Sequence, residues 1–130
     1  MRKFILVMVL SMLAVGSVVA KYQTITATAA AGATSLSITN SASIRTYEVL
    51  DVYLGLSAGT TATSTVTMTQ STGGVFVFIE SAAVASNGTG AVMALADKVV
   101  QQDLGSIIKF ERPATATNSV MTAVLVIEAD

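Results

Sequence analysis

Alternation of side-chain type along short segments is the feature that most constrains the fold of this chain. From Lys21 onward, β-branched and other apolar residues recur at every second position, and clusters of Gly, Ser, Asn and Ala separate these runs. A period of two places successive side chains on opposite faces of an extended strand, whereas a helical face repeats every three to four residues. Runs spaced by roughly 8–14 residues, with turn signals between them, predict an all-β domain.

The runs predict about eight strands, packed as an antiparallel two-sheet β-sandwich with jelly-roll or immunoglobulin-like connectivity. Parallel βαβ units would need helices, and the sequence offers no clear helical pattern for them. One run, Ala91 to Gln102, fits either a short helix or a strand to about Ala96 followed by a loop, and we favour the strand. The 130 residues suffice for one ordinary domain, which we place at residues 21–130.

Residues 1–20 have a different character from this domain. Arg2 and Lys3 precede an apolar stretch from Phe4 to Val15, and small or β-branched residues lead to Ala20. This order is typical of a secretory signal peptide, so we predict export and cleavage after Ala20. One alternative is an uncleaved membrane anchor, since Phe4 to Ala20 is 17 residues long, the lower length limit of a spanning helix. The other is a hydrophobic helix buried in an assembly.

The longest alternating run extends from Arg45 to Leu56 and has two different faces. Its more apolar face is predicted to point to the core and consists of Glu48, Leu50, Val52 and Leu54. The opposite face then presents Tyr47, Asp51 and Tyr53 to the outside. These three form the candidate interaction face, because exposed aromatic rings are what a glycan-binding platform requires. The alternative is that the tyrosines pack beneath a neighbouring loop or subunit.

The run Val75–Ile79 is continuously apolar and has no alternation. Such a run predicts a central strand that is covered on both faces. The alternative is a sheet edge that a partner strand covers, because a charge-free segment of high β-propensity is prone to aggregate when it is left exposed.

The sequence also lacks the usual carriers of chemistry. It contains no His and no Cys, so a Ser–His–Asp triad, a cysteine nucleophile and a thiolate metal site are excluded. Asp97 and Asp103 flank one loop and could hold Ca²⁺ together with backbone carbonyls, but we favour solvated turn residues. We therefore predict a non-enzymatic protein with no catalytic residue, no cofactor and no metal site.

The charge pattern limits the possible partners. The formal net charge is −1, and removing Arg2 and Lys3 with residues 1–20 leaves five basic and eight acidic residues, or −3. No basic cluster remains to neutralise a phosphate backbone, which disfavours nucleic-acid binding. Only 12% of the residues are charged, against about 25% in an ordinary domain. A surface with so few charges to desolvate suits packing against copies of itself or a partner protein.

Two stretches resemble a known class of proteins. Residues Arg45–Leu54 carry an Arg-x-Tyr-x-Val strand, and Leu104–Phe110 is followed by a Thr/Ala loop and the terminal strand Ala123–Glu128. In these features the chain is similar to the small β-sandwich virion proteins of tailed phages, of the capsid-decoration or cement type. The resemblance implies a non-enzymatic subunit, often a trimer, that binds a capsid lattice.

Two classes of function follow from these observations. The first is a structural subunit of a surface assembly, which forms homo-oligomers or binds a capsid or surface lattice. The second is a secreted monomeric binding module for a glycan or peptide, which would need a concave groove lined by aromatic or convergent polar groups. We favour the first, because aromatic and charged residues are scarce. The expected location is extracellular or the cell surface, or alternatively a virion surface, with membrane contact only through an uncleaved segment 1–20.

Overall fold

The computed structural model describes residues 21–40, 46–57, 63–85, 90–102, 104–114 and 118–129, so the predicted signal peptide lies outside the described part. Nine strands form this part of the fold: β1 (Tyr22–Ala29), β2 (Ser35–Thr39), β3 (Tyr47–Leu56), β4 (Thr63–Thr72), β5 (Val75–Ala85), β6 (Ala91–Met93), β7 (Val99–Gln101), β8 (Ile107–Glu111) and β9 (Met121–Ala129). A helix long and apolar enough to span a membrane is not found within these ranges.

The strands form two antiparallel sheets. The first has the order β1-β9-β3-β6, and β7 also pairs with β3. β6 pairs with residues Val52–Leu54 and β7 with Tyr47–Val49, so the two short strands share one sheet edge. The second sheet has the order β2-β8-β4-β5. β1 and β2 therefore lie in different sheets, whereas the first two strands of an immunoglobulin domain share one.

Both sheets contribute side chains to one hydrophobic core. The predicted inward residues Leu36 and Ile38 of β2, and Val66 and Met68 of β4, are all buried, while the residues between them are exposed or half-buried. The largest fully buried side chains come from both layers: Tyr47, Leu56, Met68, Met93, Ile108, Phe110, Met121, Leu125 and Ile127. The prediction of an all-β fold with two antiparallel sheets is thus confirmed.

The predicted faces of β3 are correct in only one half of the strand. Val52 and Leu54 are buried as predicted, but Tyr47 and Val49 are buried as well. The cause is a β-bulge: Val49 pairs with Ile127 and Asp51 with Val126, so Leu50 has no partner on β9. An extra residue in one strand exchanges the two faces beyond it. The prediction that Tyr47 points outward was therefore wrong.

Two connections were also predicted wrongly. The Ala, Ser, Asn and Gly residues of 81–90 predict a long connection, but β5 continues to Ala85 and pairs with β4 on both sides of a bulge at Ile79. Residues after Ala96 were expected to be a loop, but β7 forms there against β3. In both places the residues show only a weak alternation of apolar and polar side chains. Pairing with a neighbouring strand of clear alternation, β4 or β3, then determines the structure.

Arg112 fastens the loop between β1 and β2 to the rest of the domain. Its buried guanidinium donates hydrogen bonds to the carbonyl oxygens of Ala33 (3.0 Å) and Ala30 (3.4 Å), and to the hydroxyl of Ser119 (3.3 Å). Burial lowers the pKa of Arg112 from its ordinary value, because desolvation disfavours the charged form. These three acceptors compensate part of that cost and hold the β1–β2 loop in place.

Candidate assembly surface

A tight turn sets the position of β5. Gly73 and Gly74 connect β4 to β5 and have φ angles of 62° and 86°. Two successive positive φ angles are characteristic of a two-residue type I′ hairpin turn, for which glycine is well suited. Thr72 therefore pairs with Val75, and β5 runs antiparallel to β4 as the edge strand of its sheet. Among the described strands, only β4 pairs with β5.

The first half of β5 is apolar and exposed on both faces. Val75 is 65% exposed, Phe76 41%, Val77 58% and Phe78 59%. Successive residues of a strand point to opposite sides, so neither side of this segment is covered. The prediction of a central strand was therefore wrong. The segment lies at a sheet edge, as the alternative interpretation had it. We call residues 75–78 the β5 apolar edge.

Polar contacts hold the turn end of the hairpin in place, while Val84 at the far end of β5 is buried in the core. The amide of Gln70 donates to the carbonyl oxygen of Val100 and to the side-chain oxygen of Gln101, both at 2.7 Å. The hydroxyl of Ser71 accepts a hydrogen bond from the backbone N–H of Ile107 at 3.0 Å. These bonds connect β4 to β7 in the other sheet and to β8 in its own. β4 is fixed in this way, and the β5 apolar edge is presented beside it on an ordered backbone.

The lysine side chain of Lys109 lies against this surface. The ammonium group of Lys109 on β8 is 4.1 Å from the ring centre of Phe76 and 3.2 Å from a carboxylate oxygen of Glu111. A cation at this distance from an aromatic face gives a favourable cation–π contact. Lys109 therefore shields part of Phe76 on the outer side of the sheet and leaves the neighbouring Phe78 open.

The three residues of the predicted interaction face are not brought together. Tyr47 is only 2% exposed and belongs to the core, whereas Asp51 and Tyr53 are exposed on the outer face of the first sheet. Tyr53, 44% exposed, is paired in register with Val92 on β6 and Val124 on β9. Asp51 and Tyr53 share an accessible surface, and a binding role for them stays a prediction.

The environment of Tyr47 makes its hydroxyl group sensitive to alkaline pH. Burial raises the pKa of Tyr47 above the ordinary tyrosine value, and interaction with the amide of Gln101 offsets part of that rise. The folded protein therefore keeps this proton more tightly than the unfolded chain does. The protonated phenol of Tyr47 makes its full contribution to the stability of the fold below a pH of about 10, the ordinary tyrosine pKa. This contribution is lost as the pH rises from there through the higher pKa of the folded state.

Replacing Tyr47 with phenylalanine tests this dependence. Above a pH of about 10, the wild-type protein should lose stability more steeply than Tyr47→Phe, because only the wild type must ionise a buried phenol. Urea unfolding of both proteins at a series of pH values measures the difference. The other ionisable groups are common to both, so parallel pH profiles would contradict the assignment.

A row of four charged side chains crosses the first sheet and was not predicted from the sequence. Glu48 on β3 is directly opposite Glu128 on β9. Lys98 lies 3.6 Å from Glu48, and Lys21 lies 3.0 Å from Glu128, a hydrogen bond that raises the pKa of Lys21. The row borders a depression of about 310 Å³. The two glutamates are far apart in sequence, so only strand register could reveal the pair.

These charges form two ion pairs and do not assemble a metal site. Each glutamate has its own lysine partner, and the described residues contain no group of three or more metal-ligating side chains. Of the two aspartates considered for Ca²⁺, Asp97 is exposed, while Asp103 lies outside the described residues. The depression therefore offers paired charges at the surface, and the β5 apolar edge is the most unusual surface feature of the described fold.

Comparison with known proteins identifies no family for this chain. No protein-family profile and no curated protein matches its sequence. Among solved structures, it is similar to the core of Drosophila NLP, described in connection with pentamer formation and histone binding, with 12% identity, 84% of this chain and 97% of that chain covered, and a TM-score of 0.45. It is also similar to a Bacillus endospore appendage protein of disulfide-linked pili, with 19% identity, 83% and 86% covered, and a TM-score of 0.44.

Proposed function

We propose that this protein is a non-enzymatic structural subunit of a surface assembly and that it associates with its partner through the β5 apolar edge. The observation that carries the proposal is the run of four consecutive apolar residues, Val75–Phe78, exposed on both faces of the last strand of a sheet. Strand addition at such an edge supplies main-chain hydrogen bonds and covers apolar side chains in one step.

The usual protection of an edge strand is missing from this segment. Soluble proteins shield free edges with charged side chains, proline, bulges or very short strands. Residues 75–79 contain no charge and no proline, and the bulge in the β4–β5 pairing lies only beyond Phe78. Lys109 reaches across from β8, but it contacts Phe76 only from one side. An edge of this composition is better explained as an interface than as a permanently exposed surface.

A more specific form of the proposal is a virion subunit that decorates a capsid lattice. β6 and β7 both pair with β3 and share one edge position, so they can be counted as one strand. The strand orders of the two sheets are then 1-9-3-6/7 and 2-8-4-5, from which we infer a jelly-roll connectivity. Jelly rolls occur in viral capsid proteins, but also in lectins and enzymes, so the fold alone does not set the function. The virion assignment is supported by the sequence resemblance, and the export-like residues 1–20 favour a cell-surface layer or filament instead.

The test is the molar mass of the protein expressed from its full-length gene in a bacterial host. Intact mass spectrometry establishes whether residues 1–20 are retained, and light scattering at several concentrations measures association. We expect oligomers in the wild type and monomers in Phe78→Lys, because a charge at a covered edge must be desolvated.

The matched control is Tyr22→Lys, which changes a residue of similar exposure (61%, against 59% for Phe78) on β1, an edge strand of the other sheet. This variant should assemble like the wild type. A wild-type protein that stays monomeric at every concentration would overturn the proposal, as would equal assembly of Phe78→Lys.

A further inference from the structure

We propose that the partner of the β5 apolar edge is the same segment of a second copy, paired antiparallel about a two-fold axis at Val77. This inference rests on the proposed self-association and specifies its geometry. It joins the two four-stranded sheets into one continuous eight-stranded sheet, with the β5 strands of the two copies at its centre. Both copies use the same surface, as a two-fold interface requires.

The hairpin turn determines which backbone groups face the free edge. In a two-residue hairpin the residues that flank the turn, here Thr72 and Val75, form a hydrogen-bonded pair. Hydrogen-bonded and non-hydrogen-bonded pairs then alternate along the ladder, so Val77 directs its N–H and C=O groups toward Gln70 on β4. Phe76 and Phe78 direct theirs away from β4. The free edge therefore offers two donors and two acceptors, at positions 76 and 78.

An antiparallel pair centred on Val77 uses all four of these groups. Phe76 of one copy is opposite Phe78 of the other, and their N–H and C=O groups exchange hydrogen bonds on both sides of the axis. Val77 lies opposite its own counterpart in a non-hydrogen-bonded pair, with Cα atoms about 4.5 Å apart.

The side chains of this segment are self-complementary. The sequence Val75-Phe76-Val77-Phe78-Ile79 reads nearly the same in both directions. Antiparallel self-pairing therefore places phenylalanine against phenylalanine and β-branched residues against β-branched residues, both of which are favourable cross-strand pairs. Because the five residues carry no charge, the two-fold axis brings no like charges together.

The edge strands β1 and β2 of a second copy fit this segment less well. β2, the opposite edge strand of the same sheet, exposes the hydroxyl residues Ser35, Ser37 and Thr39, and β1 exposes Thr24, Thr26 and Thr28. Pairing with either strand would set a row of hydroxyl groups against the phenylalanines. The apolar residues 1–20 of the chain are a different possible occupant, and the test below distinguishes them from β5.

The size of the interface indicates a reversible dimer. A fully buried aromatic side chain covers about 150–250 Å². At the observed exposures, the two phenylalanines of one copy therefore contribute on the order of 200 Å². A standard stable interface buries about 800 Å² per partner. We accordingly expect the β5–β5 pair to dissociate on dilution unless further contacts in an assembly support it.

Single cysteines test the pairing directly, because the chain contains no cysteine of its own. In full-length Val77→Cys the two sulfurs would face each other across the axis, at a Cα separation that a disulfide spans. Mild oxidation should convert this variant to a covalent dimer of twice the mass. The control is Ala83→Cys, an exposed position on the same strand that lies beyond the partner's hairpin turn and far from its own counterpart.

A charge exchange provides a second test in the Val77→Cys background. Phe76→Glu combined with Phe78→Lys places opposite charges across the axis and should retain the covalent dimer, whereas Phe76→Lys combined with Phe78→Lys should lose it. Circular dichroism confirms that each variant is folded.

The outcomes separate this inference from the proposed function. The β5–β5 pairing would be overturned if the wild type forms oligomers but position 77 does not cross-link, or if position 83 cross-links equally. Self-association would then remain in place, and the β5 apolar edge would be assigned to another segment such as residues 1–20. A monomeric wild type together with no cross-linking would overturn both.

Discussion

Replacing Phe110 with alanine is expected to lower the free energy of unfolding by about 3–5 kcal/mol. Phe110 lies on β8 between Leu36 of β2 and Met68 of β4, and its ring is completely buried. The substitution removes a large apolar surface from the core and leaves a cavity that the flanking strands cannot close. Domains of this size have a total stability of about 5–15 kcal/mol, so the loss is a large part of it. Urea unfolding measures the change.

The matched control is the same substitution at Phe78, which is 59% exposed at the sheet edge. Here alanine removes little buried surface in the single chain, and the expected loss is below about 1 kcal/mol. Both measurements belong at a low protein concentration, where association does not add to stability. Similar losses at the two positions would contradict the assignment of Phe110 to the core and of β5 to an exposed edge.

The strands that could be predicted in detail are those with one buried face. In β2 and in residues 65–69 of β4, hydroxyl residues alternate with Leu, Ile, Val or Met, and the apolar set is the buried one. A strict period of two leaves only one way to place such a strand against a core. The sequence therefore determined both the existence and the orientation of these strands, before any pairing partner was known.

The exposure of the β5 apolar edge could not be predicted from alternation. A run of five apolar residues has no polar face, so the pattern is the same for a strand covered from both sides and for one that is exposed on both. Which of these forms depends on the order of strands in the sheet and on how far the opposite sheet extends. Both are properties of the whole fold, and the sequence of the segment contains neither.

The arrangement of the candidate site residues could not be predicted for a similar reason. The alternation in β3 placed Tyr47 and Tyr53 on one face, and only the bulge at Leu50 separates them into a core residue and a surface residue. Because the bulge lies at the apolar residue Leu50 and not at a glycine, alternation alone does not locate it. The Glu48–Glu128 pair depends in turn on the register of β3 with β9, which long-range packing sets.

The bulge in β3 makes the strand unusually tolerant of one particular deletion. On either side of Leu50 the buried residues alternate regularly, with Tyr47 and Val49 before it and Val52 and Leu54 after it. Removing Leu50 joins the two halves into one strand with a single unbroken alternation, which keeps every core residue inward. We expect this variant to fold, with a loss of about 0.5–3 kcal/mol, the range of an ordinary substitution.

Removing Tyr53 from the same strand should abolish folding. Tyr53 lies after the bulge, where β3 alternates regularly. Deleting it shifts the residues on one side of the deletion by one position relative to the other side. Either the Tyr47–Val52 segment or Leu54 and Leu56 must then turn to the wrong face of the sheet. Each choice exposes several core side chains or buries Asp51, at a cost that exceeds the stability of a small domain. Circular dichroism and urea unfolding of the two deletion variants compare the outcomes. A cooperative transition for the Leu50 deletion and none for the Tyr53 deletion is expected, whereas equal behaviour would show that the bulge does not set the faces of β3.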